Sequence, residues 1–307
     1  MSRSSLTRRA GVATLAAMAL VLTACGDNST SSSSGSSASS GKSLPAVSAD
    51  KALAGMVPDT VKKDGVITVG SDTTYAPSEF IDTDGQTIIG FDVDLFNAVA
   101  QKLGMKAKFE TAPFDSIIAG VGSQKYEVGV SSFTINPDRL QQANMISYFS
   151  AGTQWATKKG NPKKVDIENA CGLKVAVQKA TVQVDDLTAR SGKCTAAGKD
   201  AITIDQYDGQ DEATAAVVSG KDVAGLADSP VEAYAVSQTH GQLELLGKIY
   251  DSAPYGYVVA KDQTGFADAI SKAVAALIKD GTYKKVLQKW GVEAGAIDNP
   301  TVNPTVG

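Results

Sequence analysis

The sequence contains few of the residues that enzymes and metalloproteins use for chemistry. Among 307 residues there is one histidine, His240, and three cysteines, and their spacing matches no metal-ligand motif. No Ser-His-Asp set and no phosphate-binding glycine loop is present. We therefore predict that the protein is not an enzyme and that it uses no metal and no cofactor.

Positive charge is also scarce. The chain has 29 Lys and Arg against 33 Asp and Glu, so its net charge is −4. A nucleic-acid-binding protein would carry a basic field, and we expect no nucleic-acid partner here. An apolar content of 43% and a length of 307 residues indicate a packed globular body of one large domain or two ordinary ones.

No apolar run is comfortably long enough to span a membrane. The first residues combine a basic start, the apolar stretch "AGVATLAAMALVL" and the ending "LTAC", which is typical of a secretory signal. "LTAC" also resembles a bacterial lipobox, whose cysteine becomes the lipidated first residue. We expect a signal peptide at 1–24, export, and a lipid at Cys25 that anchors the protein to the outer face of the cytoplasmic membrane. The alternative is a plain signal peptide with a coincidental cysteine.

With Cys25 lipidated, Cys171 and Cys194 remain as an even pair in an oxidising compartment. They either form a disulfide or stay as two buried thiols. Residues 25–54 are rich in serine and lack an apolar period, which predicts a flexible tether.

From residue 55 to about 295, predicted strands alternate with predicted helices. The strand "GVITVG" precedes an amphipathic helix within 87–104, a further strand is predicted over 126–133, and the pattern restarts at "GLKVAVQ". A short strand over 255–262 is then followed by a predicted helix whose apolar face comprises Phe266, Ile270, Val274 and Leu277. This rhythm predicts an α/β protein with two lobes, each a mainly parallel sheet flanked by helices. Ligands of such folds bind beyond the carboxyl ends of the strands, so the cleft between the lobes is the expected site.

Polar side chains follow the ends of the predicted strands. The set comprises Asp72, Tyr75, Ser131, Ser132, Thr134, Arg139, Gln178, Thr181, Gln183 and Asp228. An arginine grips a carboxylate in bidentate fashion, and an aspartate accepts hydrogen bonds from an ammonium group. Together they suit a small zwitterion. For each residue taken singly the alternative is a structural one, in which Asp72 caps a turn and Asp228 caps a helix.

Arg139 is placed unusually for a cation. Asn136 and Pro137 predict a helix start, and the helix N-terminus already carries partial positive charge. Either the arginine points to water, or the guanidinium, the backbone N–H groups and the preceding hydroxyls face one common anion.

Several ordered segments resemble bacterial extracellular solute-binding proteins of family 3, the polar amino-acid receptors of ABC importers. They are "GVITVGSDTTYAPSEF", "GFDVDLFNAVAQKLG", "PFDSIIAGVGSQKYEVGVSSFTINPDR", "YFS", "GLKVAVQKATVQ", "LADSPVEAY", "YGYVVAKD" and "LIKDGTYKKVLQKWG". The resemblance implies a type II periplasmic-binding-protein-like fold with a two-strand hinge. It also implies a monomer that works with a membrane permease.

The resemblance also implies an organisation of the chain. We expect lobe 1 at 55–150 plus 256–295, lobe 2 at 151–255, hinge segments near 149–153 and 251–255, and a C-terminal tail at 296–307.

By the same resemblance, Arg139, Thr134 and Thr181 bind the ligand α-carboxylate. Asp228, Ser131 and Ser132 hold the α-ammonium group. Asp72 and Tyr75 form the side-chain pocket with Phe114 as its aromatic wall, and Gln178 and Gln183 are candidates for its edge. The chain departs from the family pattern at Ser78, usually aromatic, and at Ala180, usually glycine.

The predicted ligand is a polar amino acid. Asp72 beside Tyr75 favours a side chain that donates hydrogen bonds, so glutamine or a basic amino acid fits best. The alternatives are a sensory ligand-binding partner of a signalling system and a dehydratase-like enzyme of the same fold.

Overall fold

The computed structural model describes residues 46–306. Within these residues the strands are β1 (Val66–Ser71), β2 (Thr74–Tyr75), β3 (Glu79–Ile81), β4 (Ile88–Ile89), β5 (Lys106–Thr111), β6 (Val128–Gly129), β7 (Ala143–Lys158), β8 (Lys174–Gln178), β9 (Thr203–Tyr207), β10 (Ala224–Asp228) and β11 (Leu243–Ala260). The α-helices are α1 (Lys51–Met56), α2 (Asp59–Lys62), α3 (Phe91–Lys102), α4 (Phe114–Gly122), α5 (Pro137–Gln142), α6 (Val182–Ala196), α7 (Gln210–Ser219), α8 (Ser229–Gln238), α9 (Thr264–Asp280) and α10 (Thr282–Trp290).

The strands form one large sheet and one small sheet. The large sheet has eight strands in the order β5-β1-β6-β11-β7-β10-β8-β9, and β2, β3 and β4 form the small antiparallel sheet. β1 is parallel to β5 and β6 in the first lobe, and β8 is parallel to β9 and β10 in the second. This is the predicted two-lobed α/β fold of type II.

Two long antiparallel strands, β7 and β11, run through both lobes. Residues 143–149 of β7 pair with 255–260 of β11 in the first lobe, and 155–158 pair with 243–246 in the second. Between these two stretches the pairing of β11 shifts register at 246–250 and again at 250–253, and a third shift lies at 255–256. The segment 255–262, expected as a separate short strand, is largely the end of the 18-residue β11.

Each lobe has its own apolar core. In the first lobe α9 buries the apolar face that its sequence predicts, formed by Phe266, Ile270, Val274 and Leu277. The second core surrounds Trp155 of β7, with Leu187 and Leu226 packed against it. Helices therefore cover the sheet and leave the strand ends to face the cleft.

The ordered body extends beyond both predicted boundaries. Helix α1 begins at Lys51, inside the segment expected to be a tether to residue 54, because the Asp50 side chain caps its first N–H groups. At the other end, Val302 pairs with Ile146 of β7, so much of the expected tail packs on the first lobe. The predicted signal peptide and Cys25 lie outside the described residues.

Cys171 and Cys194 form a disulfide. The bridge ties the chain before β8 to α6, and Cys194 is buried in the second core. The free-thiol alternative is therefore wrong. None of the helices in residues 46–306 has the length and apolarity needed to cross a bilayer.

Candidate functional site

A small polar cavity lies between the lobes at the ends of the strands. Its volume is about 10 Å³, and it is lined by Tyr75, Phe114, Ser131, Ser132, Thr134, Arg139, Gln178, Thr181, Val182, Gln183 and Asp228. Three surface grooves of about 470, 520 and 540 Å³ are larger, but none of them is lined by Arg139 or Asp228. Convergent polar groups, and not size, mark this cavity as the candidate binding site.

Arg139 projects into the cavity from the start of α5. As predicted, Asn136 caps this helix by accepting from the Arg139 N–H at 2.9 Å, and Pro137 occupies its first turn. The guanidinium is buried and lies over the rings of Phe114 and Phe133, with its centre 5.4 and 5.5 Å from their centroids. Burial lowers the pKa of Arg139 to about 10, so it remains a cation at neutral pH.

The guanidinium of Arg139 is only partly satisfied by the protein. It donates to the carbonyl of Thr134 at 2.8 Å and to the carbonyl of Ala180 at 3.1 Å. Within residues 46–306 no carboxylate oxygen lies within 4.0 Å of it. A guanidinium has five N–H donors, so a buried cation with donors to spare remains here for an anion.

Asp228 is the buried acid on the opposite wall. Its Oδ2 accepts from the hydroxyls of Tyr75 at 3.0 Å and Tyr255 at 2.7 Å, and its Oδ1 accepts from Gln183 at 2.8 Å. Burial raises the pKa of Asp228, while these donors and the charge of Arg139 lower it. Although Asp228 precedes α8, its side chain makes no capping hydrogen bond. The helix-cap interpretation is therefore wrong, and the side chain faces the cleft.

Ser131 and Ser132 form the floor of the cavity. The strand predicted over 126–133 pairs only at β6, because the chain turns at Ser132, which has a left-handed φ of 48°. Ser131 donates from Oγ to Glu79 at 3.0 Å. Ser132 donates from both N–H and Oγ to Asp92 Oδ2, at 3.1 and 3.3 Å.

The second lobe contributes the start of α6. The Thr181 hydroxyl donates to the carbonyl of Gln178 at 2.8 Å and makes no cap to the helix. The first N–H groups of a helix lack partners within it, so the start of α6 offers donors to an anion at the cavity. Val182 lines the cavity as the first residue of this helix.

Asp72 lies behind the cavity wall and does not line it. Its Oδ1 accepts from the N–H and hydroxyl of Thr74, at 3.0 and 2.7 Å, as expected for a turn cap. Its Oδ2 accepts from the Phe114 N–H at 3.1 Å and from Gln178 at 2.9 Å. Burial raises the pKa of Asp72, and these hydrogen bonds lower it. The side chain thereby fixes two residues that do line the cavity.

The two lobes touch across the cleft through polar groups. Besides Tyr75 with Asp228 and Arg139 with Ala180, Gln178 reaches across to Asp72, and the Gln210 N–H donates to the Thr74 hydroxyl at 3.1 Å. Near the cleft, Lys179 pairs with Asp115 at 3.0 Å. The structure therefore has the lobes closed on each other.

Sequence reasoning missed four residues of this site. Val182 was overlooked between two predicted contacts, and Tyr255, Glu79 and Asp92 support the cavity from behind. The acids could have been noticed, since "PSEF" and "GFDVDLF" each place a carboxyl group next to an apolar run. Nothing in the local pattern distinguishes Tyr255 from a core tyrosine.

The comparisons with known proteins agree with this architecture. The model of the family "Bacterial extracellular solute-binding proteins, family 3" matches residues 67–293. The chain therefore belongs to this family.

Individual relatives are also similar. An arginine-binding protein, ArgT of Corynebacterium glutamicum, is 37% identical over 252 residues, which cover 82% of each chain. An ancestral arginine-binding protein solved with arginine has a TM-score of 0.68 and 32% identity, over 74% of this chain and 98% of its own. AncCDT-1, an ancestral amino acid-binding protein described as a precursor of cyclohexadienyl dehydratase, has a TM-score of 0.67 and 30% identity, over 76% and 98% of the two chains.

Proposed function

We propose that the protein captures a free basic amino acid, arginine first among them, and delivers it to the permease of an ABC importer. The main support for the proposal is that a buried guanidinium and a buried carboxylate line the same cavity. Arg139, Thr134 and the start of α6 would bind the α-carboxylate. Asp228 with Ser131 and Ser132 would bind the α-ammonium group.

The charge around the cavity supports a cationic ligand. Among the described residues, four buried acids line or support the cavity, Asp72, Glu79, Asp92 and Asp228, and its one buried cation is Arg139. A basic amino acid brings a net positive charge into this acidic surrounding, whereas glutamine brings none and glutamate brings a negative one. The names of ArgT and of the arginine-bound ancestral protein support the same choice.

Ligand binding would act on the lobes as a bridge. Arg139 belongs to the first lobe and Asp228 to the second, so a zwitterion held by both would bridge the two lobes. The cavity of about 10 Å³ has room for no more than a water molecule, so the lobes must separate further than in this structure to hold an amino acid. The hinge would be the irregular stretch of β7 and β11 near 149–153 and 251–255.

A thermal-shift panel tests the proposal. We expect arginine, lysine or ornithine to raise the melting temperature, with glutamine weaker and glutamate inactive. Arg139→Gln should abolish every shift, while Arg190→Gln should preserve them, because Arg190 pairs with Asp186 outside the cavity. A chain that responds to no amino acid would refute the function, and turnover of a cyclohexadienyl substrate would favour the dehydratase alternative.

We further propose that lipid on Cys25 holds the protein at the outer face of the membrane. The support is the lipobox-like "LTAC" behind an apolar run. Labelled palmitate should enter the protein, and Cys25→Ala should lose the label and appear in the culture medium. Equal labelling and fractionation of the two chains would refute the anchor.

A further inference from the structure

Two carboxyl groups are completely buried beneath Ser131 and Ser132. Glu79 in β3 and Asp92 in α3 both have an exposed fraction of 0%. Neither forms an ion pair within residues 46–306. Burying an isolated charge is costly, so the protein must either neutralise such groups or surround them with donors.

The donors reach only one oxygen of each acid. Glu79 Oε1 accepts from Ser131, and Asp92 Oδ2 accepts from Ser132 and from the hydroxyl of Tyr148. In the described part of the chain, Glu79 Oε2 and Asp92 Oδ1 have no donor at all. The two carboxyl groups are neighbours, because they accept from the adjacent residues Ser131 and Ser132. The Asp92 N–H also donates to the carbonyl of Ser78, the residue before Glu79, at 3.0 Å. A single proton between them would satisfy both remaining oxygens.

We propose that Glu79 and Asp92 share one proton, and that this acid–carboxylate pair is a positioning device that fixes Ser131 and Ser132 under the ligand ammonium group. The positioning role rests on the proposed function, whereas the shared proton does not. Ser132 needs such a support, because its φ of 48° is unfavourable for a residue with a side chain. The bonds from its N–H and Oγ to Asp92 hold it there.

The surroundings favour retention of the proton. Within residues 46–306 the titratable groups that face the pair are Asp72, Tyr75, Tyr148, Tyr255, Tyr257 and Tyr283, and none of them is basic. Burial first, and then the charge of Asp92, raise the pKa of Glu79 well above its ordinary value of 4.5. The folded protein therefore holds a proton that the unfolded chain releases.

This difference makes stability depend on pH with a definite sign. Where the folded state binds one more proton than the unfolded state, the unfolding equilibrium constant rises up to about tenfold per pH unit. The stabilisation is complete below the ordinary carboxyl pKa and declines as pH rises through the raised one.

The test compares Glu79→Gln and Glu79→Ala with the unchanged protein. The amide of Glu79→Gln donates to Asp92 without a titrating proton, so its unfolding should vary less steeply between pH 5 and 8. One infrared band of a protonated carboxyl group at pH 7 should also disappear, separate from the band of Glu232, which only Glu232→Gln removes. Arginine affinity in Glu79→Gln should exceed that in Glu79→Ala at least tenfold, because only the amide keeps Asp92 and Ser131 partnered.

Glu232→Gln serves as the matched control. Glu232 is another buried acid, on α8, and burial raises its pKa to about 8, but it does not line the cavity. Its removal should flatten the pH dependence of unfolding and leave arginine affinity unchanged.

Two results would overturn the inference. Glu79→Gln with the pH dependence and infrared band of the unchanged protein would exclude the shared proton. A folded Glu79→Ala protein that binds arginine as well as Glu79→Gln would exclude the positioning role. Failure of the unchanged protein to bind any amino acid would refute the proposed function, and the pH measurement would still decide the shared proton.

Discussion

The hydroxyl of Tyr75 donates to Oδ2 of Asp228 at 3.0 Å, although the two residues are 153 positions apart and belong to opposite lobes. In return the backbone N–H of Asp228 donates to the same hydroxyl at 3.2 Å. Asp228 is the acid proposed to hold the ligand ammonium group. Under this proposal, lobe closure and ligand binding depend on the same carboxylate.

Tyr75→Phe should shift the protein toward an open state when no amino acid is present. The change removes a buried hydrogen bond between the lobes, and such a bond contributes about 1 kcal/mol. Small-angle scattering should show a larger radius of gyration. Tyr283→Phe is the control, since its hydroxyl donates to the Tyr148 carbonyl within the first lobe. Identical scattering from both variants would contradict the role of Tyr75 in closure.

Arginine affinity should decline as the solution becomes acidic. Burial raises the pKa of Asp228 above the ordinary 3.8, and the protonated acid has no charge to offer an ammonium group. Binding is therefore strongest above this raised pKa and is lost as pH falls through it. Calorimetry from pH 7 to 4 measures the decline, provided that circular dichroism shows a folded chain. An affinity that stays constant over this range would argue against an Asp228–ammonium contact.

Ala180→Gly should stabilise the protein. Ala180 has a left-handed φ of 60°, which glycine adopts without the steric cost of a Cβ atom. After the larger entropy of the unfolded glycine chain is subtracted, we expect a gain of about 0.5–1 kcal/mol in urea unfolding. Ala189→Gly, in the interior of α6, should instead cost about 1 kcal/mol. A loss of stability in Ala180→Gly would contradict the conclusion that the backbone is strained at Ala180.

Removal of the disulfide should lower stability and spare binding. The bridged cysteines are separated by 23 residues, and closing a loop of that length contributes about 3 kcal/mol. The double change Cys171→Ala and Cys194→Ala should lower the unfolding free energy by that order. Arginine affinity should stay within about twofold, since neither residue lines the cavity. A large loss of affinity would instead show that the packing of the second core affects ligand binding.

Local sequence patterns predicted much of the fold. The apolar face of α9 and the cap of α5 are properties of a few neighbouring residues, and both are confirmed. Long-range pairing is different. Nothing in the local sequence of β7 and β11 indicates that each strand serves both lobes, or that Val302 pairs with Ile146, because such contacts join segments far apart in the chain.

The sequence also predicted much of the candidate site. Polar residues at strand ends identified most of the cavity lining, since parallel strands present their carboxyl ends to one edge. Asp72 shows the limit of that reasoning. A strand-end position does not reveal whether a carboxylate faces the cavity or accepts hydrogen bonds from backbone N–H groups. Here the Asp72 carboxylate accepts from the N–H groups of Thr74 and Phe114.

The most direct test of the proposed clamp is a calorimetric titration with arginine and with agmatine, which is arginine without its α-carboxylate. Arg139 and the start of α6 would have no anion to bind in agmatine, while Asp228 would keep its ammonium partner. Loss of a charged, bidentate hydrogen-bonded pair costs several kcal/mol, so we predict that agmatine binds at least about 100-fold more weakly than arginine. Equal affinities for the two molecules would contradict the account.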